Sequence, residues 1–279
     1  MEKIRIIYIF GSGHSGSTLA ALMLGVHSQI ECVGEMKQYE RSMKRKRPCN
    51  CGRVVEECPY WREVFHLAGG DPGGVSAVLN PSSSKAFAES NARFIRAILQ
   101  SSGKSVFCDS SKTKKRLHKY LKCPEFEVHV LHLVRDGRAV LFSNLKKQRA
   151  FWGYCSRWKK RNIREKRALF DAGLPPERYH CIRYEELARR PEAILRPFLQ
   201  ALNLEFESGQ LKRWADGNHH IGGNHMARDK GGRIFLDTRY LDALGPLQWV
   251  AATVLQAPVL KAYRYPLSRR KMRKMLFDV

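Results

Sequence analysis

The sequence predicts an α/β fold in which a parallel sheet is covered on both faces by helices. The first observation is an apolar run at residues 4–10 that leads into a glycine-rich turn and then a helix. The second is a buried-strand pattern at residues 128–134, which is also followed by polar residues and a helix. The third is that strands alternate with helices along the chain, which is typical of parallel sheets because a parallel connection needs a crossover. We expect a single domain over residues 1–279.

The remaining elements follow from the same patterns in chain order. Strands are predicted where short apolar runs end at polar residues, at residues 4–10, 105–108, 128–134 and 179–183. Helices are predicted from helical periodicity, at residues 17–26, 36–46, 61–67, 85–101, 114–121, from after 138 to 148, 151–170, 191–202 and about 241–255. In the helix at 85–101, apolar residues recur at helical spacing, namely Phe87, Phe94, Ile95, Ile98 and Leu99. The Gly/Pro/Ser-rich stretch at 69–84 is interpreted as a connection.

Residues 11–18 read G-S-G-H-S-G-S-T, which is the G-x-x-x-x-G-K-[ST] phosphate loop with Ser17 in place of its lysine. A strand that feeds a glycine turn and a helix N-terminus presents N–H groups and a positive dipole end to an anion. The loop lysine normally reaches the β/γ-phosphates of a nucleoside triphosphate, so its absence argues against ATP. The prediction is a three-layer P-loop-type fold with an anion site formed by Gly13, His14, Ser15, Gly16, Ser17 and Thr18.

A second anion site is predicted at the end of the strand at 128–134. Ligands of open parallel sheets bind at the carboxyl ends of the strands, so the phosphate loop, residues 109–112 and Arg135 should converge. Ser143 follows Arg135 by eight residues, a little over two helical turns. A guanidinium with a hydroxyl on the same helical face suits a second phosphate group.

These motifs together resemble the sulfotransferases that use 3′-phosphoadenosine 5′-phosphosulfate (PAPS). The lysine-free loop and R-D-G-R-A-V-L-F-S at 135–143 carry most of the resemblance. Further family-like pieces occur in the same order, C-V-G-E at 32–35, D-S-S-K at 109–112, R-Y-E-E-L at 183–187 and G-G-N-H-M-A-R at 222–228. The turn with C-x-C-G and C-P-x-W also resembles one branch of the family, and the resemblance covers essentially the whole chain.

The resemblance implies sulfuryl transfer from PAPS to an acceptor, usually a hydroxyl, by in-line displacement without a metal. By the same resemblance, the first loop would grip the 5′-phosphosulfate, while Arg135 and Ser143 would grip the 3′-phosphate. Lys112 matches a family lysine near the transferring group and would stabilise negative charge there. Asn224 and Arg228 would belong to a loop that closes over the nucleotide.

Two residues compete for the role of general base. Glu35 follows Gly34 at a position similar to that of the catalytic glutamate of tyrosylprotein and related sulfotransferases. His14 occupies the loop position where the family generally has Arg or Lys. As a cation His14 would bind the sulfonate or the leaving oxygen, and as a neutral imidazole it would accept a proton. The sequence leaves both roles open.

The chain is strongly basic, with 50 Lys and Arg against 26 Asp and Glu and a formal charge of +24. Such a field concentrates anionic ligands and suggests an anionic acceptor such as a sulfated or uronic glycan or an acidic peptide, with a small hydroxylated metabolite as the alternative. The aromatic side chains at 151–158 are interpreted as a buried stripe in preference to an acceptor wall. Two rival functions remain, a P-loop kinase or other NTPase with Asp109 as the metal-holding acid, and a nucleic-acid-binding protein, which would not explain the ordered anion-site residues.

Cys49, Cys51 and Cys58 form the one cysteine cluster of the sequence. Three thiols within ten residues can hold a metal, form a disulfide or stay reduced, and since a fourth ligand is not evident we assign no metal. The sequence contains neither an apolar stretch of about 18 residues nor a signal-peptide pattern, so we expect a cytoplasmic protein.

Overall fold

A computed structural model describes residues 2–70, 79–147, 150–211, 218–222 and 234–277. In this part of the chain, one parallel sheet has the strand order β2-β3-β1-β4-β5. The strands are Ile4–Gly11 (β1), Ile30–Cys32 (β2), Val106–Lys112 (β3), Phe126–Val134 (β4) and Tyr179–Arg183 (β5). The chain first builds the sheet on one side of β1 and then crosses to the other side. The order therefore reverses beside β1, where ligand crevices form in open α/β sheets.

Helices pack on both faces of the sheet, and the carboxy-terminal helices contribute to a further apolar core. The helices are Ser17–Gly25 (α1), Tyr39–Lys44 (α2), Pro59–Leu67 (α3), Ser84–Ser102 (α4), Lys114–Leu121 (α5), Gly137–Leu145 (α6), Phe151–Lys160 (α7), Lys166–Phe170 (α8), Tyr184–Arg189 (α9), Pro191–Gln200 (α10), Tyr240–Ala243 (α11), Pro246–Ala262 (α12) and Arg269–Phe277 (α13). A π-helical segment, Arg161–Glu165, joins α7 to α8. None of the described helices is long and apolar enough to cross a membrane.

Both faces of β1 are buried, which confirms the predicted fold class. Successive residues of a strand point to opposite faces, and here both sets are apolar. Ile6 and Tyr8 pack in a core with α3, α4 and α5. Ile7 and Ile9 pack in a second core with α1, α9 and α10. The parallel sheet is therefore the middle layer of three, as the unbroken apolar run of β1 indicates.

The strands differ from the predicted ones in two places. β2 was not expected, because its three residues are too few to give a periodic pattern. β3 continues through Lys112, whereas the sequence predicts its end at Cys108. Asp109 and Ser111 are fully buried in this extension. The sequence pattern places these polar residues beyond the end of the strand, but Arg116 and backbone groups satisfy their hydrogen bonds within the sheet.

Most of the predicted helices are present, but three of them are interrupted, and the one at about 241–255 is divided into α11 and α12. The segment predicted at 36–46 is a short 3₁₀ turn followed by α2, and the one at 151–170 is divided by the π-helical segment. α9 and α13 were not expected. In α7, Trp158 is buried as the stripe interpretation predicts, but Trp152 is 66% exposed.

Candidate active site

The phosphate loop is a tight turn whose two flanking glycines cannot be replaced without displacing neighbours. At Gly11 an added Cβ would lie 2.5 Å from the Leu133 carbonyl oxygen of β4. Gly16 precedes α1 with φ 90°, and an added Cβ would lie 2.4 Å from Tyr184 Cδ2. Ser15 Oγ donates to the Ser12 carbonyl at 2.7 Å and closes the turn. The first N–H groups of α1 have no partner within the helix and face the end of this turn, which suits an anion.

Lys112 supplies a cation next to the position where the loop lacks its lysine. Tyr8 pairs with Asp109 and Phe10 pairs with Lys112, so one residue of β1 lies opposite two of β3 between these pairs, and β3 bulges by one residue there. At the end of the bulge Lys112 has φ 65°, a conformation that non-glycine residues seldom adopt. Its Nζ lies 3.1 Å from Ser17 Oγ. The ammonium group therefore reaches the phosphate loop from a different strand.

Glu35 is buried and lies between two lysines. Its carboxylate forms ion pairs with Lys112 Nζ and, at 3.2 Å, with Lys37 Nζ. Burial by itself would raise the pKa of Glu35, but the ammonium groups of Lys112 and Lys37 outweigh burial and hold this pKa below its usual value of 4.5. Burial lowers the pKa of Lys112, although the Glu35 carboxylate opposes that shift. Glu35 is thus ionised at neutral pH and can accept a proton.

The backbone around Glu35 is held by a segment that is distant in sequence. Glu35 N donates to the Ile221 carbonyl at 2.7 Å, and Ile221 N donates to the Val33 carbonyl at 2.8 Å. An added Cβ at Gly34 would lie 2.5 Å from that Ile221 oxygen, and Gly34 has φ 86°. Residues 218–222 therefore run beside the candidate base, and the close approach requires the glycine that precedes it.

Arg135 is buried at the carboxyl end of β4 and contacts the phosphate loop directly. Its Nη1 donates to the His14 carbonyl at 3.0 Å, and its Nη2 forms an ion pair with Asp237 Oδ2 at 3.2 Å. The guanidinium stacks on the Tyr184 ring, 4.5 Å from its centroid. Its buried Nε has no hydrogen-bond partner among the described residues. The side chain is thus held in place while one donor remains available to a ligand.

The structure brings some of the predicted site residues together and leaves others separate. Lys112 contacts both Ser17 and Glu35, and Arg135 contacts His14, so the three predicted strand ends do converge. Ser143 Oγ donates to the Ala139 carbonyl within α6. Asn224 and Arg228 lie outside the described residues.

His14 lies at the centre of the loop in a left-handed backbone conformation, with φ 66°. Lys147 Nζ lies 3.4 Å from its Nε2. In this arrangement Lys147 supplies the positive charge at the loop, and His14 presents an imidazole beside it.

Two contact residues, Arg161 and Asp237, were not identified from the sequence, and Tyr184 was noted only as part of the R-Y-E-E-L motif. Arg161 Nη1 donates to the carbonyls of Gly11, at 3.3 Å, and Lys112, at 2.5 Å, and so joins β1 to β3 at the site. Tyr184 lies under Gly16 and against Arg135. Asp237 pairs with Arg135. The basic clustering near 161 was visible as charge, but nothing local distinguishes Arg161 from its neighbours, and the same holds for Asp237.

Three buried carboxylates, those of Asp109, Asp136 and Glu185, take part in structural ion pairs and hydrogen bonds. Asp109 is fully buried and bound by Arg116 Nε at 2.7 Å, so it does not face the phosphate loop as a metal-holding acid would. Asp136 caps α6 and forms a fully buried ion pair with Arg138 at 2.7 Å. Glu185 accepts from Asp136 N at 3.0 Å and joins this network. These carboxylates stabilise the walls of the site.

Comparisons with known proteins concern the family and the fold. A model of the sulfotransferase family matches residues 7–208. The sulfotransferase domain from the curacin biosynthetic pathway is similar in structure, with a TM-score of 0.61, 20% identity, and coverage of 96% of this chain and 99% of that chain. The sulfotransferase domain from the Synechococcus PCC 7002 olefin synthase gives a TM-score of 0.59, 19% identity, and coverage of 96% and 97%. No curated protein sequence matches the chain.

Proposed function

The chain belongs to the sulfotransferase family, and we propose that it transfers a sulfuryl group from PAPS to an acceptor hydroxyl. One observation carries the proposal, which is that Lys112 contacts both Ser17 of the phosphate loop and the buried carboxylate of Glu35. Through the Lys112 ammonium, this arrangement joins the anion-binding loop, a cation and a proton acceptor. Sulfuryl transfer needs these three groups and does not require a metal ion.

The residues of the two predicted anion sites fit the donor. The missing Cβ atoms of Gly11 and Gly16 allow the turn to pack against Leu133 and Tyr184, and the first N–H groups of α1 are left for a 5′-phosphosulfate. Arg135 keeps a buried Nε that has no partner among the described residues, which suits the 3′-phosphate. In our proposal Ser143 turns its hydroxyl from the Ala139 carbonyl toward that phosphate, and Asn224 and Arg228 close over the nucleotide.

The donor supplies a sulfuryl group on an activated bridging oxygen. Glu35 accepts the proton of the acceptor hydroxyl as its oxygen forms the new bond to sulfur. Lys112 stabilises the negative charge that the bridging oxygen gains when its bond to sulfur breaks. Because Lys112 is paired with Glu35 before the donor binds, its movement toward the donor would also release the carboxylate for proton transfer.

His14 remains the alternative base in this proposal. Its Nε2 lies 3.4 Å from Lys147 Nζ, and an imidazole can accept a proton when it is neutral. We favour Glu35 because its carboxylate is buried and contacts the cation that would serve the leaving group. A variant of each residue separates the two roles.

The acceptor is proposed from charge. The excess of basic residues favours an anionic acceptor, a charged glycan or an acidic peptide, and a small hydroxylated metabolite is the other class to test. One of the two similar structures is named for a biosynthetic pathway and the other for an olefin synthase, which supports including small hydroxylated substrates in the test. We propose one catalytic domain for residues 1–279, and a cytoplasmic location stays a prediction.

The test is transfer of labelled sulfate from PAPS to a panel of glycans, tyrosine peptides and small hydroxylated compounds. We expect transfer to at least one acceptor without added metal. Glu35→Gln should lose about 10²–10⁴-fold in turnover, as expected for a general base, while it still binds adenosine 3′,5′-bisphosphate in calorimetry. Glu89→Gln changes the same group on the exposed surface of α4 and should behave like wild type.

Further binding and turnover measurements distinguish this proposal from its alternatives. Arg135→Ala should lose affinity for the bisphosphate, whereas Arg270→Ala, at an exposed position of α13, should retain it. Full turnover in Glu35→Gln together with its loss in His14→Ala would assign the base to His14. Binding of ATP with Mg²⁺ in place of the bisphosphate would support a kinase, and a steeply salt-dependent affinity for RNA or DNA would support a nucleic-acid binder.

A further inference from the structure

Four side chains that can bind a metal meet beside residues 218–222, the segment that supports Glu35. They are the thiols of Cys49, Cys51 and Cys58 and the imidazole of His219, here called the Cys3His cluster, and their ligand atoms all lie within 4.8 Å of one another. Cys58 Sγ lies 3.6 Å from Cys51 Sγ and 3.9 Å from Cys49 Sγ. His219 Nδ1 lies 3.2 Å from Cys58 Sγ and 3.6 Å from Cys49 Sγ.

Three separate segments bring these ligands to one point. Cys49 and Cys51 lie in a hairpin turn in which Cys49 N donates to the Arg53 carbonyl at 2.8 Å and Gly52 N donates to the Cys49 carbonyl at 2.9 Å. Gly52 permits this turn because its φ is 91°. Cys58 immediately precedes α3. His219 comes from residues 218–222 and supplies the fourth ligand, which the spacing of the cysteines alone did not reveal.

We propose that the Cys3His cluster binds one zinc ion. Tetrahedral zinc with Zn–S bonds of about 2.3 Å and Zn–N bonds of about 2.0–2.1 Å requires S···S separations of about 3.8 Å and S···N separations of about 3.6 Å. The four S···S and S···N separations given above, from 3.2 to 3.9 Å, lie around those values. Soft thiolate ligands combined with imidazole favour zinc over hard cations such as Mg²⁺ or Ca²⁺. With four protein ligands the site is closed, which is the arrangement of structural zinc.

A disulfide fits the same residues less well. An S–S bond is about 2.05 Å long, whereas Cys58 Sγ is 3.6 Å from the sulfur of Cys51 and 3.9 Å from that of Cys49. A disulfide would also use two thiols and leave the third thiol and the His219 nitrogen directed at the same point. A metal ion satisfies all four groups together.

The surroundings of His219 hold its ring in one orientation, as partners of metal-ligating histidines commonly do. The Tyr60 ring stacks on the His219 ring with a centroid separation of 4.5 Å and an interplanar angle of 1°. Tyr60 OH in turn donates to Glu31 Oε1 at 2.8 Å. Asn50 Nδ2 donates to Asn218 Oδ1 at 2.6 Å, so the turn with Cys49 and Cys51 is also joined to the segment with His219 beside the cluster.

The zinc would connect the cysteine turn to the backbone that supports the candidate base. His219 lies two residues before Ile221, whose carbonyl accepts from Glu35 N and whose N–H donates to the Val33 carbonyl. Loss of the metal would release residues 218–222 from the turn. The inference concerns folding and geometry, and it holds whether or not the chain transfers sulfate.

The test is elemental analysis of the purified full-length chain after exhaustive desalting. We expect one zinc per chain in wild type and at least a ten-fold lower content in Cys58→Ser and in His219→Ala. Cys181→Ser removes an exposed thiol outside the cluster and should keep one zinc per chain. Exchange of zinc for Co²⁺ should give the visible absorption of tetrahedral cobalt with thiolate ligands, and this absorption should disappear in Cys58→Ser.

Two results would overturn the proposal. One is wild-type protein without stoichiometric metal even after refolding with zinc. The other is a mass spectrum of the denatured chain in which two of the three cluster cysteines are joined by a disulfide. Because metal content is measured on wild type, a variant that fails to fold does not remove the test. Binding of adenosine 3′,5′-bisphosphate, measured on the same samples, reports separately on the proposed function.

Discussion

The contact between Gly16 and the Tyr184 ring makes the phosphate loop sensitive to a single methyl group. In Gly16→Ala the new Cβ would lie 2.4 Å from Cδ2, 3.2 Å from Cε2 and 3.3 Å from Cγ of Tyr184. The ring is rigid, so it must move by about 1 Å to restore normal contacts. Alanine would also have to adopt φ 90°, a conformation that costs about 1–2 kcal/mol for a residue with a Cβ.

Movement of the ring would disturb two further interactions. Tyr184 OH donates to the Phe235 carbonyl at 3.2 Å, and the ring supports the Arg135 guanidinium. Loss of a hydrogen bond and of a cation–π contact, together with the backbone strain, gives a decrease of about 3 kcal/mol in the free energy of unfolding. Because Arg135 would lose its support, affinity for adenosine 3′,5′-bisphosphate should fall as well.

The assay is urea unfolding followed by fluorescence, with Gly13→Ala as the matched control. An added Cβ at Gly13 meets no atom within 4 Å, so this variant should change the free energy of unfolding by less than about 0.5 kcal/mol. In the double variant Gly16→Ala/Tyr184→Ala the clash is gone, so the combined loss should be smaller than the sum of the single losses. Equal effects at Gly13 and Gly16, or additive losses in the double variant, would refute the reasoning.

Three further predictions concern charges at the site. In Lys112→Met, Glu35 loses a main source of its lowered pKa while it stays buried, so the acid limb of the pH profile of sulfuryl transfer should move to higher pH. If this limb does not move, Glu35 is not the group whose titration produces it. In Arg161→Met, the carbonyls of Gly11 and Lys112 lose a charged donor, and urea unfolding should show a loss of about 2 kcal/mol. Burial opposes ionisation of Asp237, yet its arginine partners lower its pKa to about 2, so its contribution is fully present above its unfolded pKa of 3.8 and is lost as the pH falls toward 2. The stability difference between wild type and Asp237→Asn, measured by thermal unfolding, should shrink over that interval.

The sequence predicted the parts of this site that depend on local patterns. The apolar run of β1, the glycine turn and α1 follow one another within a few residues, so their order alone indicates a strand, a loop and a helix. Arg135 could be located for the same reason, because it directly follows a buried strand. The convergence of these strand ends follows from the parallel sheet.

The contacts that complete the site link residues far apart in sequence, and no local pattern marks them. Arg161 reaches the Gly11 carbonyl across 150 positions, and His219 reaches Cys58 across 161. The extension of β3 was missed for a different reason. Asp109 and Ser111 are polar residues inside a strand, and only the tertiary fold shows that Arg116 and backbone groups satisfy them.

The bulge in β3 makes the length of this strand matter more than most of its side chains. Deletion of one residue between Asp109 and Lys112 would restore regular pairing with β1 and remove the bulge from which the lysine projects. The ammonium would then no longer be held in contact with Ser17 and Glu35. Substitution of Ser110 would leave the count unchanged. The spacing of the segment, two residues opposite one, is therefore what delivers the positive charge to the phosphate loop.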